Sequence, residues 1–170
     1  MELNGVLIEE YKSPLGVMRL GVTGDGLCLC DWPSEARDAR MDQRLSKYLG
    51  PGAGGDREAI IEEARRQLDE YFAGKRREFT VAVRLAGTEF QQKVWRRLAE
   101  IPYGETLSYG ELAESMGQRS AVRAVASACG ANCLSIFVPC HRVIGADGSL
   151  TGYAGGVDAK RALLRMEAGL

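Results

Sequence analysis

The chain has 170 residues, 45% of them hydrophobic and 26% charged, with a net charge of −1 at pH 7. That balance fits one domain or two small ones of an ordinary globular protein and excludes a disordered or generally basic chain. Five cysteines without paired zinc spacing, beside a single histidine, exclude a disulfide framework or a Cys/His zinc cluster. Reduced thiols, a cytoplasmic setting, no metal and no other cofactor are therefore expected. Met1-Glu2-Leu3-Asn4 lacks the basic start and apolar core of a signal peptide.

The first third reads as a short antiparallel sheet. Gly5–Tyr11, Gly16–Val22 and Leu27–Trp32 are β-type runs, separated by Ser13-Pro14-Leu15 and Thr23-Gly24-Asp25-Gly26, which carry turn chemistry. After a loop at Pro51-Gly52-Ala53-Gly54-Gly55, the apolar residues Ile60, Ile61, Ala64, Leu68, Tyr71 and Phe72 recur at helical spacing, with Gly74 as the stop. Sheet plus helix makes a small unit. Lys75–Gly87, charged and then extended, is the candidate linker, so residues 1–87 form one domain and 88–170 a second.

From Thr88 the pattern turns helical. Thr88 with Gln91 forms a capping box, Phe90, Val94, Trp95 and Leu98 mark one face, and Pro102 ends the element. Ser108 with Glu111 is a second capping box, opening a helix that Gly117 closes. Ser120 is placed to cap a further helix that runs to about Cys129. Two short helices joined by a tight turn fit a helix-turn-helix, although any small helical domain contains such a pair. A last helix is expected over Asp158–Ala168, bringing Leu163, Leu164 and Glu167 near one another.

The uncharged stretch Ala124–Cys140 is interrupted by Gly130, Asn132, Ser135 and Pro139 and is shorter than the roughly 20 apolar residues that span a bilayer. It reads as core, not membrane. Ser115–Ala146 carries Arg119, Arg123 and Arg142 and no acidic residue, a local positive surface suited to phosphates. Ordinary solvent-facing arginines would look the same. The small residues of Ser120–Ala128 admit close approach to a neighbouring helix or to a nucleic-acid groove, and Arg123 is the single long cation among them.

Ile136–Ile144 joins Cys140 to the only histidine, His141. A thiol is a strong nucleophile only as thiolate, and a nearby imidazole is a usual means of shifting it from its free pKa of about 8.5. Adjacent residues diverge on a strand or a helix, so adjacency does not guarantee contact, and a bridging water or third group is required. The competing reading is a buried cysteine filling a strand beside a hydrogen-bonded histidine.

Several ordered blocks extend this pattern: Phe90-Gln91-Gln92-Lys93-Val94-Trp95, Ile101–Thr106, Ser108–Ala113, Val122-Arg123-Ala124-Val125, Pro139–Ile144 and Gly152-Tyr153-Ala154-Gly155-Gly156. Through them nearly the whole chain resembles the O6-alkylguanine-DNA alkyltransferases, or methylated-DNA-protein-cysteine methyltransferases. The resemblance implies an α+β protein: an RNase H-like sheet-plus-helix domain, then a mostly helical, winged-helix-like domain with the helix-turn-helix. It also implies single-turnover transfer of the alkyl group from guanine O6, and from thymine O4, to Cys140. His141 acts on Cys140 through water, Glu167 orients His141, Asn132 fixes the loop, and Tyr109 donates a proton or hydrogen bond to the base. The partner is double-stranded DNA entered from the minor groove by a monomer. Arg123 fills the gap left by the flipped base, with Ser120, Val122 and Ala124 beside it and Val143, Tyr153, Ala154 and Gly155 around the base. Cys133 and Ser135 depart from the prolines many relatives carry there. The alternatives are a non-catalytic sensor of alkyl lesions, which in relatives lacks the acceptor cysteine, and a cysteine hydrolase, for which no oxyanion-hole signature is present.

Overall fold

The computed structural model describes residues 1–50 and 52–170; Pro51 of the expected loop lies outside the described residues. Two compact units divide the chain, Met1–Gly87 and Thr88–Leu170.

In the first unit, β1 (Glu2–Leu3), β2 (Val6–Ser13), β3 (Gly16–Thr23) and β4 (Gly26–Asp31) form an antiparallel sheet in the order β1-β2-β3-β4. The predicted strands are present, and β1 is an addition. Asn4 and Gly5 have φ of 49° and 86° between the paired residues Leu3 and Val6. An Asn-Gly pair tolerates two positive φ angles, whose twist suits a two-residue hairpin. Two helices follow, α1 (Glu35–Tyr48) and α2 (Arg57–Phe72). The sheet packs against α2, which buries Ile61, Ala64, Leu68 and Tyr71. Ile61 and Leu68 each contribute about 1.5–3 kcal/mol on burial.

The candidate linker is not free chain. The Leu27 amide donates to the Ala82 carbonyl at 2.8 Å and the Arg84 amide to the Leu27 carbonyl at 2.7 Å, giving a parallel bridge between Leu27 and Val83. Gln67 Oε1 accepts from the Thr80 and Val81 amides. Backbone groups on the open side of β4 need partners once buried, and this segment supplies them.

In the second unit, α3 (Glu89–Ala99) starts on the Thr88–Gln91 capping box and buries Val94, Trp95 and Leu98. The Ser108–Glu111 box opens α4 (Tyr109–Ser115), and Gly117, at φ 68°, lets the chain turn away. The next helix, α5, spans Val122–Gly130. Here the expected cap fails: Ser120 lies inside a 3-10 turn, Arg119–Ala121, and Ala121 occupies the N-cap without a side-chain hydrogen bond. The tight turn leaves Ser120 one residue early. The α4–α5 pair is the helix-turn-helix, and Trp95 Nε1 ties α3 to α5 through the Ala128 carbonyl at 2.7 Å.

Two further strands, β5 (Leu107–Ser108) and β6 (Val143–Ile144), pair in parallel, Leu107 with Val143 and Ser108 with Ile144. The chain ends on α6 (Val157–Glu167). No helix among the described residues is long and apolar enough to cross a membrane.

Candidate active site

The β5–β6 pairing builds the site. It sets the first residue of α4, Tyr109, beside the strand that leaves the Cys140–Arg142 3-10 turn. Cys140 therefore begins a turn rather than filling a strand, and it is the only one of the five cysteines that is not buried.

Asn132 holds the segment leading into that turn. Its Oδ1 accepts from the Leu134 amide at 2.9 Å, and its Nδ2 donates to the Val138 carbonyl at 2.9 Å and to Cys140 Sγ at 3.3 Å. Between them Ile136 sits at φ 75°, a left-handed conformation that a β-branched residue adopts only at a cost of about 1–3 kcal/mol. The Asn132 hydrogen bonds and the burial of Ile136 on its core side maintain it.

His141 is fully buried and is bonded to Glu167, not to Cys140: its Nε2 lies 2.8 Å from Glu167 Oε2. Arg142 reaches the same carboxylate, Nε to Oε1 at 2.8 Å and Nη2 to Oε2 at 3.0 Å, and its Nη1 donates to the Ile101 carbonyl at 2.6 Å. The positive surface expected from three arginines thus loses one member, because Arg142 is 5% exposed and spends its charge on Glu167. Burial lowers the His141 pKa, with Glu167 pulling the other way, so the ring is neutral at pH 7. An ionised carboxylate only accepts hydrogen bonds. Nε2 therefore carries the proton and Nδ1 is the basic nitrogen, buried and without a hydrogen-bond partner among the described residues. Gly104, at φ 83°, lets the Ile101–Gly104 turn come close to the Glu167 carbonyl; a Cβ there would lie 3.2 Å from it.

Tyr109 is half-buried, and burial raises its pKa, opposed by a 3.5 Å hydrogen bond from Thr151 Oγ1. The phenol stays protonated at neutral pH. Lys160, which the sequence reading missed, is 1% exposed, donates from Nζ to the Thr151 carbonyl at 3.2 Å and lies 5.9 Å from the Tyr109 ring centroid. Burial lowers its pKa, while Cys140 and Cys129 oppose the shift. Its spacing from Leu163, Leu164 and Glu167 puts it on the inward face of α6, a signal that its residue type concealed. Arg142 was likewise missed as a partner of Glu167, although its place directly after Cys140-His141 was a signal.

The remaining expected residues divide by location. Val143 is buried in β6, the Tyr153 ring stands 6.4 Å from His141 at 77°, and Ala154 and Gly155 form the half-buried turn before α6. Ser120, Arg123 and Ala124 are exposed around the start of α5, and Val122 is half-buried there. Val125, Ala128 and Cys129 face the interior. Among the described residues no cluster of three His, Cys, Asp or Glu side chains is arranged to hold a metal.

Comparison with known proteins matches both units. Residues 6–85 match the family model for the ribonuclease-like domain of 6-O-methylguanine DNA methyltransferase, and residues 89–169 match the model for its DNA binding domain. A methylated-DNA–protein-cysteine methyltransferase of Methanosarcina acetivorans is 43% identical over 157 residues, covering 92% of this chain and 95% of that protein. One from Mycobacterium bovis is 59% identical over 101 residues, covering 59% of this chain and 61% of the relative. The crystal structure of Mycobacterium tuberculosis OGT in complex with DNA superposes with a TM-score of 0.75 at 42% identity, covering 94% of this chain and 91% of that one. The chain belongs to the methylated-DNA–protein-cysteine methyltransferase family, DNA-binding enzymes of alkyl-damage repair.

Proposed function

We propose that the chain moves the alkyl group from guanine O6, and from thymine O4, onto Cys140 Sγ in one irreversible turnover. The thiolate attacks the alkyl carbon, the S–C bond forms as the C–O bond breaks, and the electron pair leaves on the base. His141 Nδ1 takes the thiol proton through a water, acting as general base. Glu167, held by Arg142, keeps the proton of the ring on Nε2. Asn132 positions the sulfur, and the protonated Tyr109 hydroxyl donates to the departing base. The Lys160 cation offsets the negative charge that gathers in the pocket.

The base reaches this half-buried sulfur only by leaving the duplex, at a cost of a few kcal/mol that is lower for a weakened pair. A monomer enters the minor groove with α5, Arg123 occupies the vacated space, and Ser120, Val122 and Ala124 adjoin the DNA. Val143, Tyr153, Ala154 and Gly155 surround the extruded base. The setting is the reducing cytoplasm, where Cys140 stays a thiol.

One observation carries this reading: a neutral buried histidine, fixed as an Nε2 donor by Glu167 at 2.8 Å, offers a bare Nδ1 one residue from a half-exposed thiol. Incubation with an oligonucleotide bearing one O6-methylguanine tests it. One methyl mass on the Cys140 peptide, one equivalent per protein and none in Cys140→Ser, is expected. Tight binding with no adduct would establish a lesion sensor instead, and repeated turnover would establish a hydrolase.

A further inference from the structure

The first unit carries a segregated band of cations on α1. Arg40, Arg44 and Lys47 recur at i, i+4 and i+7, so they share one face of the helix. Arg40 and Lys47 are exposed and Arg44 is half-buried. Two acidic residues of α1, Asp38 and Asp42, are engaged away from this band, with Arg19 at 3.4 and 3.1 Å. Elsewhere in the unit Arg57, Arg65, Arg66, Arg76 and Arg84 each meet a carboxylate at 3.2 Å or less. Among the described residues Arg40 and Lys47 have no carboxylate within ion-pair distance. The Tyr48 ring stands beside the band, its centroid 5.3 Å from Lys47 Nζ and 5.9 Å from Arg44 Cζ.

A cation in the last turn of a helix answers the negative end of the macrodipole, which accounts for Lys47. It does not account for Arg40, about two turns earlier. Nor does the face suit a membrane. The residues exposed beside the cations are Ala36, Ala39, Gln43 and Ser46, while the apolar Met41 and Leu45 are buried, so nothing on this side can enter lipid. Uncompensated charge beside an aromatic ring fits a polyanion. From Arg40 to Lys47 the band runs about 10.5 Å at about 1.5 Å per residue, the length of about three phosphate steps on one strand of B-DNA at about 3.4 Å each.

We propose that this face of α1 is a second phosphate-binding surface, by which the first unit grips the backbone of duplex DNA without reading base or lesion. The guanidinium and ammonium groups release condensed counterions as they meet the phosphates, which makes the contact steeply dependent on salt. Contacts of this kind carry no sequence information. They keep the protein on undamaged DNA, where a lesion has to be sought.

The inference rests on DNA being the partner of this chain, and its test needs no alkyl transfer. The full-length protein is titrated with an unmodified, fluorescein-labelled duplex at salt concentrations from about 50 to 200 mM, and log Kobs is plotted against log salt. In Arg40→Gln/Lys47→Gln, whose folding is checked by thermal melting, the slope should become shallower by about 1.8, since each phosphate contact contributes about 0.9. The loss of affinity should be the same on a duplex bearing O6-methylguanine. Lys12→Gln/Lys75→Gln removes the same charge from exposed positions off the band and should keep the wild-type slope. An α1 pair with the wild-type slope, or a control pair that loses as much as the α1 pair, overturns the inference. A wild-type slope on DNA together with lost binding to phosphatidylserine vesicles overturns it in favour of a membrane. If the unaltered protein shows no salt-dependent binding to duplex, the DNA reading falls and this surface with it, whereas a slope that all variants share removes only the surface on α1.

Discussion

Glu167→Gln is the substitution that best separates the orientation of His141 from mere packing. The carboxylate accepts from His141 Nε2 and from Arg142 Nε at 2.8 Å each, and from Arg142 Nη2 at 3.0 Å. Glutamine keeps the shape and removes the charge, leaving the Arg142 guanidinium buried without a counter-ion. Breaking a buried pair in this way costs about 3–5 kcal/mol. The amide also cannot serve both neighbours. If its oxygen meets Arg142, its NH2 faces His141 Nε2, which must then accept, and the ring proton moves to Nδ1. That nitrogen is the one the mechanism needs bare, so the general-base contribution, about 10²–10⁴-fold in rate, is lost.

Single-turnover methyl transfer and urea unfolding, both at pH 7, measure the two effects separately. In Arg142→Met/Glu167→Leu no buried charge is left unpaired, so part of the lost stability should return. The transfer rate should stay low, because His141 has no carboxylate to hold its tautomer. A Glu167→Gln protein that transfers methyl at the wild-type rate would refute this account of the base, whatever its stability.

Asn132→Ala should lower stability by about 2–3 kcal/mol in urea unfolding, since the Leu134 amide and Val138 carbonyl lose their partner beside the strained Ile136, and it should slow Cys140 alkylation even by iodoacetamide. Burial depresses the His141 pKa below its ordinary value, so stability from this group is complete above about pH 6.5 and is lost as pH falls through the lower folded-state value. The acid limb of the methyl-transfer rate should accordingly lie below pH 6.5, and a midpoint above that value would contradict the buried, neutral ring. Asp31 behaves oppositely: burial, outweighing its 2.6 Å pair with Arg37, raises its pKa to about 6. The folded state then holds the proton more tightly, and about 3 kcal/mol of stability present below pH 4 should be lost as pH rises through 6; urea midpoints of wild type and Asp31→Asn test this, since the variant should lack the slope. Arg123→Ala should reduce repair in duplex DNA by at least tenfold, about 1.4 kcal/mol, while leaving iodoacetamide labelling of Cys140 unchanged.

Elements with strong periodicity or two-sided punctuation were legible in the sequence. β2, β3 and β4 are β-type runs set off by Ser13-Pro14-Leu15 and Thr23-Gly24-Asp25-Gly26, α2 repeats its apolar residues every three or four positions, and α3 and α4 begin on capping boxes that the structure contains. Helix α1 was not legible because it buries only Met41 and Leu45 among fourteen residues, too few to set a period. The Asn4-Gly5 hairpin was written in the sequence, but β1 is only two residues long. Ser120 misled because a 3-10 turn displaces the start of α5, and the choice between that turn and a direct helix start depends on packing rather than on the capping residue. Of the site, the Cys140-His141 pair stood out by composition. Glu167, Asn132 and Tyr109 followed only from the resemblance, since each alone has an ordinary structural reading.

Arg142 and Lys160 went unread for a shared physical reason. Long cations are mostly exposed, and a sequence reading places them in solvent unless a partner is known. Their burial is conditional on contacts far along the chain: Glu167 and the Ile101 carbonyl for Arg142, the Thr151 carbonyl and the Tyr109 face for Lys160. Those contacts exist because two residues of β5 pair with two of β6, a pairing too short to leave any periodic trace. The pairing sets the start of α4 beside the reactive turn, and α6 packs over that turn to bring in Glu167. The same short bridge therefore brings together a proton acceptor, a proton donor and two buried cations around a single sulfur, so damage to Leu107–Ser108 pairing should disable transfer while sparing the sheet of the first unit.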